Sequence, residues 1–267
     1  FQLVAVCFSF GSAALYAAPG DVDLTFNSNV QGNVYGVAMQ LDNKMVIASD
    51  VSGRYIGRLN TNGLLDSTFT GDANNWVVST AMQPDGKILL SGTFSTVRGS
   101  ARRGIARLNA DGSLDTGFNA NLGGTFTEVF CIAVQPDGKI LIGGAFTTVG
   151  GIPRARIARL NPNGTPDTNF IINASDSVYN IAIQPDGKIL LAGSFTSIQD
   201  DNGLSDSRNF IARLNPDGST DPLFNPGCDN TVYCMAVQPD GKILVGGPLT
   251  QAVGVDRTYL ARINEDG

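Results

Sequence analysis

The chain has 267 residues, of which 42% are hydrophobic and 16% charged, so it can build a large core and is neither a disordered chain nor a coiled coil. Its net charge of -6 argues against nucleic acid or an anionic membrane surface as a partner. The 32 glycines and 12 prolines are typical of many short strands joined by tight turns.

Residues 1–18 form an apolar run rich in small residues that ends in Ala17 and Ala18 before Pro19. This pattern resembles the second half of a secretory signal peptide, and a membrane anchor is the alternative. We therefore expect export, cleavage and no membrane insertion of the remaining chain. The three cysteines that follow this run, Cys131, Cys228 and Cys234, are too few for a disulfide framework. The sequence is compatible with a local Cys228–Cys234 bridge that leaves Cys131 free.

The rest of the chain repeats one unit five times. The motif GxxDxxF begins 43 to 54 residues apart, and each copy is followed by QPDGK or its variant QLDNK and then by a segment of the form ARLN. Such periods, when built from strands, are typical of β-propeller blades. The units cover residues 20–62, 63–111, 112–163, 164–217 and 218–267.

Each unit is predicted to contain four strands. In the third copy these are an apolar strand at 129–135, a PDG turn, a second strand at 139–146, a third at 156–161, and a fourth that carries the next DxxF. Proline and glycine in PDG fit a tight hairpin turn. The predicted fold is an all-β propeller of four-stranded blades, with five repeats that form either a closed five-bladed ring or a fragment of a larger propeller.

The repeated charges are predicted to pair within each blade. If the turn between the third and fourth strands holds three residues, Arg107 lies opposite Asp115. A closed ring would also place Asp23, in the strand at 22–26, opposite Arg262. The same offset gives the remaining pairs, which are Arg58–Asp66, Arg159–Asp167 and Arg213–Asp221.

These repeats resemble the delta-60 repeat family. The residues that carry the resemblance are AVQPDGKILIGGAFTTVGG at 133–151, IARLNADGSLDTGFN at 105–119 and their copies, and it extends over residues 20–267. The resemblance implies a bacterial, secreted or surface-attached β-propeller, and it implies no established activity.

The connections between second and third strands vary in length and are longest at 195–211. Because variable loops on a rigid scaffold commonly carry binding specificity, we expect a binding face there. The alternative is that its arginines only pair with neighbouring blades. The candidate residues are Arg102, Arg154, Arg208, Arg257, Asp200, Asp201 and Asp206.

Catalytic signatures are missing from the sequence. The chain has no histidine, which removes the commonest general base and metal ligand, and PDGK lacks the glycine and hydroxyl residues of a phosphate loop. We expect no enzyme activity, no cofactor and no assigned metal site. Calcium is the alternative, either in the NxDGxxD turns or at Asp200, Asp201, Asn202 and Asp206.

The predicted function is a noncatalytic binding or adhesion module, secreted or on a bacterial cell surface, that recognises a glycan or a protein. The alternatives are a carbohydrate-active hydrolase or lyase, and a structural spacer. We expect a monomer or a part of a longer multidomain chain. Trp76 and the tyrosines Tyr35, Tyr179 and Tyr233 lie beside or within first strands and are predicted to be core.

Overall fold

A computed structural model describes residues 25–28, 30, 32–49, 55–200 and 202–267. Strands and turns make up this part of the chain, and it contains no helix; accordingly, none of its elements is an apolar helix of the length needed to cross a membrane. The predicted leader at 1–18, Asp23 and Asp201 lie outside the described residues.

Among the described residues, five three-stranded antiparallel sheets made of the longer strands follow one another along the chain, with four smaller sheets of short strands between them. Sheet 1 comprises β1 Val34–Met39, β2 Met45–Ser49 and β3 Ile56–Leu59. Sheet 2 comprises β4 Val77–Met82, β5 Ile88–Gly92 and, after the short β6 Thr96–Val97 and β7 Ser100–Ala101, β8 Ile105–Leu108. The next elements are β9 Leu122–Gly123, β10 Val129–Val134, β11 Ile140–Gly144, β12 Thr148–Val149, β13 Ile152–Pro153 and β14 Ile157–Leu160. They are followed by β15 Asn173–Ala174, β16 Val178–Ile183, β17 Ile189–Gly193, β18 Ser197–Gln199, β19 Ser205–Ser207 and β20 Ile211–Leu214. The last are β21 Cys234–Val237, β22 Ile243–Gly246, β23 Gln251–Ala252, β24 Val255–Asp256 and β25 Leu260–Ile263.

Sheets 3, 4 and 5 have the strand orders β10-β11-β14, β16-β17-β20 and β21-β22-β25. The first strand of each sheet lies next to the first strand of the following sheet, from β1 through β4, β10 and β16 to β21. We call these the inner strands. Consecutive sheets that meet through their inner strands are arranged as the blades of a propeller.

The PDG turns set the register of each sheet, as predicted. In sheet 2 the amide of Gln83 donates to the carbonyl of Lys87 at 2.9 Å, and the Asp85 carboxylate accepts the amide of Lys87 at 3.1 Å. Gly86 has φ +81°, a left-handed conformation that glycine adopts without strain. Turn chemistry therefore places the Lys87 side chain at the start of the second strand.

The prediction of a fourth strand in each sheet is wrong. After Leu108 the chain makes a turn and a single bridge between Leu108 and Leu114, and then leaves the sheet. The reason is Asp115, whose side chain accepts the amide of Gly117 at 3.0 Å while its carbonyl accepts the amide of Phe118 at 3.3 Å. DxxF is thus a turn, and sheets 1 to 4 each have three strands plus an outer segment.

The variable connections between the second and third long strands contain short strands of their own. Sheets 2 to 5 each insert a short hairpin between their second and third long strands: β6-β7, β12-β13, β18-β19 and β23-β24. In sheets 3 and 4 this hairpin also pairs with the segment that enters the sheet, through β9 and β15. These connections are consequently ordered by backbone hydrogen bonds.

The hydrophobic core is divided among the gaps between consecutive sheets. Four clusters lie between sheets 1 and 2, 2 and 3, 3 and 4, and 4 and 5. Each contains the phenylalanine of the DxxF turn that follows the earlier sheet, namely Phe69, Phe118, Phe170 and Phe224. Burying one such ring contributes roughly 2–3 kcal/mol, so the DxxF turn stabilises the contact of its own sheet with the next.

Candidate functional site

The repeated charges of sheets 1 to 4 meet in one arrangement, which we call the latch. In sheet 3 the Nζ of Lys139 lies 2.8 Å from Oδ2 of Asp167, and the Nε of Arg159 lies 2.7 Å from the same oxygen. Four of the five predicted arginine–aspartate pairs therefore form, with a lysine added to each; the fifth, Arg262 with Asp23, stays a prediction because Asp23 lies outside the described residues. The latches are Lys44–Asp66–Arg58, Lys87–Asp115–Arg107, Lys139–Asp167–Arg159 and Lys188–Asp221–Arg213.

Each latch also joins its sheet to the next. The Arg159 guanidinium carbon lies 4.5 Å from the centre of the Phe170 ring, and its Nη1 donates to the carbonyl of Pro216, in the turn after sheet 4, at 2.6 Å. Buried guanidinium groups need such partners because an unpaired buried charge is very costly. The latch arginines of the repeat motif therefore hold consecutive sheets together.

The latch cations lower the pKa of their carboxylates. Burial by itself raises the pKa of Asp167, but hydrogen bonds from Lys139 and Arg159 outweigh that effect and hold the pKa below its ordinary value. Hydrogen bonds from Lys44 and Thr68 hold the pKa of Asp66 well below its usual range. These aspartates remain charged near neutral pH, as paired partners rather than as acid–base groups.

Three arginines expected on the binding face are buried instead, which corrects that expectation. Arg102, Arg154 and Arg208 are 8%, 7% and 6% exposed. Their guanidinium groups donate to backbone carbonyls; Arg154, for example, donates to Pro153 at 2.8 Å and to Thr168 at 3.5 Å. The corresponding residue of sheet 5, Arg257, is exposed. Burial removes the first three from any contact surface.

The longest hairpin brings Asp200 and Asp206 to a polar cavity of about 410 Å³, lined also by Asn202 and Asp217. Asp200 stabilises its own hairpin, because its carboxylate accepts the amides of Asn202 and Leu204 at 3.0 and 2.9 Å. Within the described ranges, no three or more histidine, cysteine, aspartate or glutamate side chains are grouped to hold a metal ion.

Cys228 and Cys234 are not bridged, so the local disulfide that the sequence allowed does not form. Cys131 and Cys228 are buried, whereas Cys234 is exposed. Burial, with a smaller contribution from the Asp229 charge, raises the pKa of the Cys228 thiol to about 11.

A β-bulge in four of the inner strands changes the direction of one side chain in each strand. The register of β10 shifts between Val129, which pairs with Gly144, and Cys131, which pairs with Gly143. Phe130 is the extra residue of a β-bulge, a device that re-aims a side chain. The same shift occurs in β1, β4 and β16, so the second residue of these strands leaves the regular alternation.

Tyr35, Phe130 and Tyr179 occupy this position in β1, β10 and β16, whereas Trp76 and Tyr233 directly precede β4 and β21. Rings of neighbouring sheets contact one another. Phe130 and Tyr179 have ring centres 5.2 Å apart, and Tyr179 and Tyr233 have centres 5.5 Å apart. Tyr35 stacks on Trp76 at 5.9 Å with an interplanar angle of 26°. We call these five residues the aromatic row. Because inner strands of consecutive sheets are neighbours, the row follows the inner surface of the blades.

The rings of the row are half-buried, and the Trp76 side chain is 49% exposed, which corrects the prediction that they are core. Among the described residues, the hydroxyl groups of Tyr179 and Tyr233 have no hydrogen-bond partner in the chain. Asn33 donates to the Tyr35 hydroxyl at 3.4 Å. The row therefore combines apolar ring faces with available hydroxyl groups.

The row lies at the same end of the blades as the variable connections. Val129 begins β10 and pairs with Gly144, the last residue of β11, after which the chain enters the hairpin β12-β13. Phe130 is next to that point, and Phe126, 62% exposed, lies in the segment that leads into β10. The end of the blades that was predicted to bind from loop variability thus carries aromatic side chains, whereas three of its four expected arginines are buried.

Comparisons with known proteins identify the family. The model of the family described as "Domain of unknown function (DUF5122) beta-propeller" matches residues 40–69, 83–118, 135–170, 184–224 and 238–267. No curated protein matches the chain.

Solved structures share the fold at low identity. A candidate gluconolactonase is 16% identical with a TM-score of 0.51, over 86% of this chain and 73% of that one. Streptogramin B lyase is 15% identical with a TM-score of 0.50, over 90% and 85%. PorZ, a surface component of the type-IX secretion system of Porphyromonas gingivalis, is 14% identical with a TM-score of 0.51, over 87% and 33%.

The five family matches recur with the period of the sheets, and the delta-60 repeat resemblance agrees with them. They cover more than half of the sequence, including the PDG turns and the latches. The chain belongs to the DUF5122 β-propeller family.

Proposed function

We propose that this chain is a noncatalytic binding module that acts outside a bacterial cell and holds a saccharide at the aromatic row. The observation that carries the proposal is the contact of Phe130, Tyr179 and Tyr233 across three inner strands. Together these rings form one continuous apolar platform that the fold leaves half-buried.

The chemistry of the row suits a sugar ring. A pyranose has apolar C–H faces and a polar edge, so it needs a flat apolar surface with hydrogen-bonding groups beside it. Tyrosine supplies both, because it presents an apolar body and a polar tip. Polar residues flank the row where the chain enters the inner strands, at Asn33, Glu128 and Ser177.

The proposed location rests on the predicted leader and on structural relatives. PorZ is described as a bacterial surface component, and another relative, 15% identical with a TM-score of 0.53, is the extracellular domain of a candidate two-component system from B. thetaiotaomicron. This chain spans 33% and 27% of those proteins. A module that forms part of a larger surface protein is consistent with both.

The test is a saccharide-binding screen with the purified chain, followed by calorimetry on the strongest ligand. We expect Tyr179→Ala to weaken binding at least about tenfold, which corresponds to about 1.4 kcal/mol. Tyr259→Ala is the matched control, because Tyr259 is a tyrosine 68% exposed outside the row; it should leave the affinity unchanged.

Two results of this screen would contradict the proposal. If no saccharide binds, or if Tyr179→Ala binds as well as the native chain, the row is not a saccharide site. If the bound saccharide is cleaved during prolonged incubation, as analysed by mass spectrometry, the module is an enzyme of the hydrolase or lyase class.

A further inference from the structure

Three rings of the aromatic row, those of Phe130, Tyr179 and Tyr233, form a continuous series that we call the ring triplet. Their centres lie 5.2 and 5.5 Å apart. Each ring lies within or directly before a different inner strand, β10, β16 or β21, and these strands are neighbours in the propeller. The ring triplet therefore runs across the blades, and a ligand that covers it must contact three sheets at once.

The faces of the ring triplet are not coplanar. The ring planes of Phe130 and Tyr179 differ by 43°, and those of Tyr179 and Tyr233 differ by 58°. A rigid flat surface that lies parallel to one of these rings meets the neighbouring ring at an angle. The ring triplet consequently suits a ligand whose own rings can turn relative to one another.

A single sugar ring covers one member of the ring triplet. A pyranose and a phenyl ring are both six-membered and similar in size, and in a stacked contact their faces are close to parallel. Because neighbouring rings of the triplet are tilted against each other, one pyranose stacks on only one of them. A ligand that uses all three rings therefore needs at least three sugar units, one for each sheet.

The linkage between sugar units supplies the freedom that the tilted rings require. Two pyranoses joined through one oxygen atom rotate about single bonds, so consecutive units can follow consecutive rings. The two distances between ring centres are nearly equal, at 5.2 and 5.5 Å, which suits a ligand with a regular repeat. The hydroxyl groups of Tyr179 and Tyr233, which have no partner among the described residues, are available to the polar edges of the sugars.

The backbone beneath the ring triplet is firmly held. A valine directly precedes each ring in the sequence, and all three valines are fully buried, whereas the rings are half-buried. A surface that is already ordered loses little conformational freedom when a ligand binds. The ring triplet is thus arranged before the ligand arrives, and the ligand adapts to it. The three valines are Val129, Val178 and Val232.

We propose, on the basis of the saccharide-binding function proposed above, that the ligand is a single soluble saccharide chain of at least three units that lies across sheets 3, 4 and 5. One unit stacks on each of Phe130, Tyr179 and Tyr233. Because the units are linked, each further contact is intramolecular, and the affinity rises with chain length until the ring triplet is filled. A packed polysaccharide surface presents coplanar units, which match only one of the three rings.

Calorimetry with the native chain and linear gluco-, xylo-, manno- and N-acetylglucosamine oligosaccharides of one to six units measures this length dependence. We expect the trisaccharide of the series that binds to bind at least about tenfold more tightly than its single sugar. Equal affinities would overturn this inference and leave the proposed function intact, as would a single sugar that binds while no oligosaccharide does. If neither single sugars nor oligosaccharides bind, this inference and the proposed function both fail.

Removing an outer ring of the triplet gives a second, independent readout. Phe130→Ala and Tyr233→Ala should each weaken trisaccharide binding at least about tenfold, whereas a disaccharide, which keeps one complete pair of rings, should lose less than about threefold. The control Tyr259→Ala, at an exposed tyrosine outside the row, should change neither affinity. Equal losses for both lengths, or tighter binding to the corresponding insoluble polysaccharide than to the trisaccharide, would overturn the inference. The length series on the native chain does not depend on the folding of any variant.

Discussion

The latch and the aromatic row belong to the same sheets and differ in how they repeat. Each latch uses the same three residue types, and its aspartate and arginine are largely buried and paired. The row uses tyrosine, tryptophan and phenylalanine at related positions, and its rings are half-buried. In this molecule strict repetition reflects the requirements of the fold, whereas the proposed contact surface lies where the side chain changes between sheets.

Acid should have the largest effect, because it acts on four latches together. A carboxyl group whose pKa is lowered in the folded state contributes stability that is present above its unfolded pKa of about 4 and is lost as the pH falls through the folded pKa. The lowered pKa values of Asp66, Asp115, Asp167 and Asp221 therefore predict that the free energy of unfolding decreases steadily below about pH 4.

Urea unfolding followed by circular dichroism between pH 7 and pH 2.5 measures this decrease. A free energy of unfolding that stays constant or rises from pH 5 to pH 3 would show that the latches do not stabilise the fold.

Removing one latch carboxylate should have the next largest effect. Asp167→Ala leaves the buried Arg159 without its anion, and we expect a loss of about 3–5 kcal/mol, measured by urea unfolding at pH 7. Asp72→Ala, at an exposed aspartate, is the control and should change stability by less than about 0.5 kcal/mol. A loss below about 1 kcal/mol for Asp167→Ala would contradict the structural role of the latch.

The buried arginines should show an intermediate effect on stability. Arg102→Ala removes a guanidinium that donates to the carbonyls of Ala101 and Thr116, and leaving such groups unpaired costs about 1–3 kcal/mol. The neighbouring Arg103 is exposed, so Arg103→Ala should be close to neutral in the same thermal unfolding assay. If both variants had equal and small effects on stability, Arg102 would not be a structural residue, and its predicted place on the binding face would stand.

The smallest effect on stability is expected in the row. Tyr179→Phe keeps the ring contacts and removes a hydroxyl that has no partner among the described residues, so the free energy of unfolding should change by less than about 0.5 kcal/mol. Saccharide affinity should fall severalfold if the ligand hydrogen-bonds to that hydroxyl. A loss of more than about 1 kcal/mol in unfolding would mean that Tyr179 is a structural residue.

Sequence was sufficient to predict the propeller repeat and the charge pairs, because both depend on local turn chemistry. PDG and NADG turns fix how far a strand is displaced against its neighbour, and that displacement alone places Arg107 opposite Asp115. The DxxF segment was misjudged because its alternating pattern also fits a strand. The segment forms a turn because the Asp115 side chain accepts the amide of Gly117, and this hydrogen bond ends the pairing of the segment with the third strand.

The position of the binding face, at the end of the blades where the variable connections lie, stays a prediction, and three of the arginines assigned to it are buried. Whether Arg154 is exposed depends on the carbonyl of Thr168 reaching it, a contact between elements that no local pattern reveals. The row was missed because a bulge shifts Phe130 and Tyr179 by one position. The available signal was an aromatic residue that recurs directly after a valine at the start of the first strand, as in Tyr35, Phe130, Tyr179 and Tyr233.

The chain's single tryptophan allows the central claim to be tested in one measurement. Trp76 belongs to the row and stacks on Tyr35, so its fluorescence reports on ligand at that surface. We predict that titrating the selected saccharide changes Trp76 emission saturably in the native chain, and that Tyr179→Ala shifts the titration to at least about tenfold higher concentration. Unchanged Trp76 emission at concentrations that saturate binding by calorimetry would contradict the account.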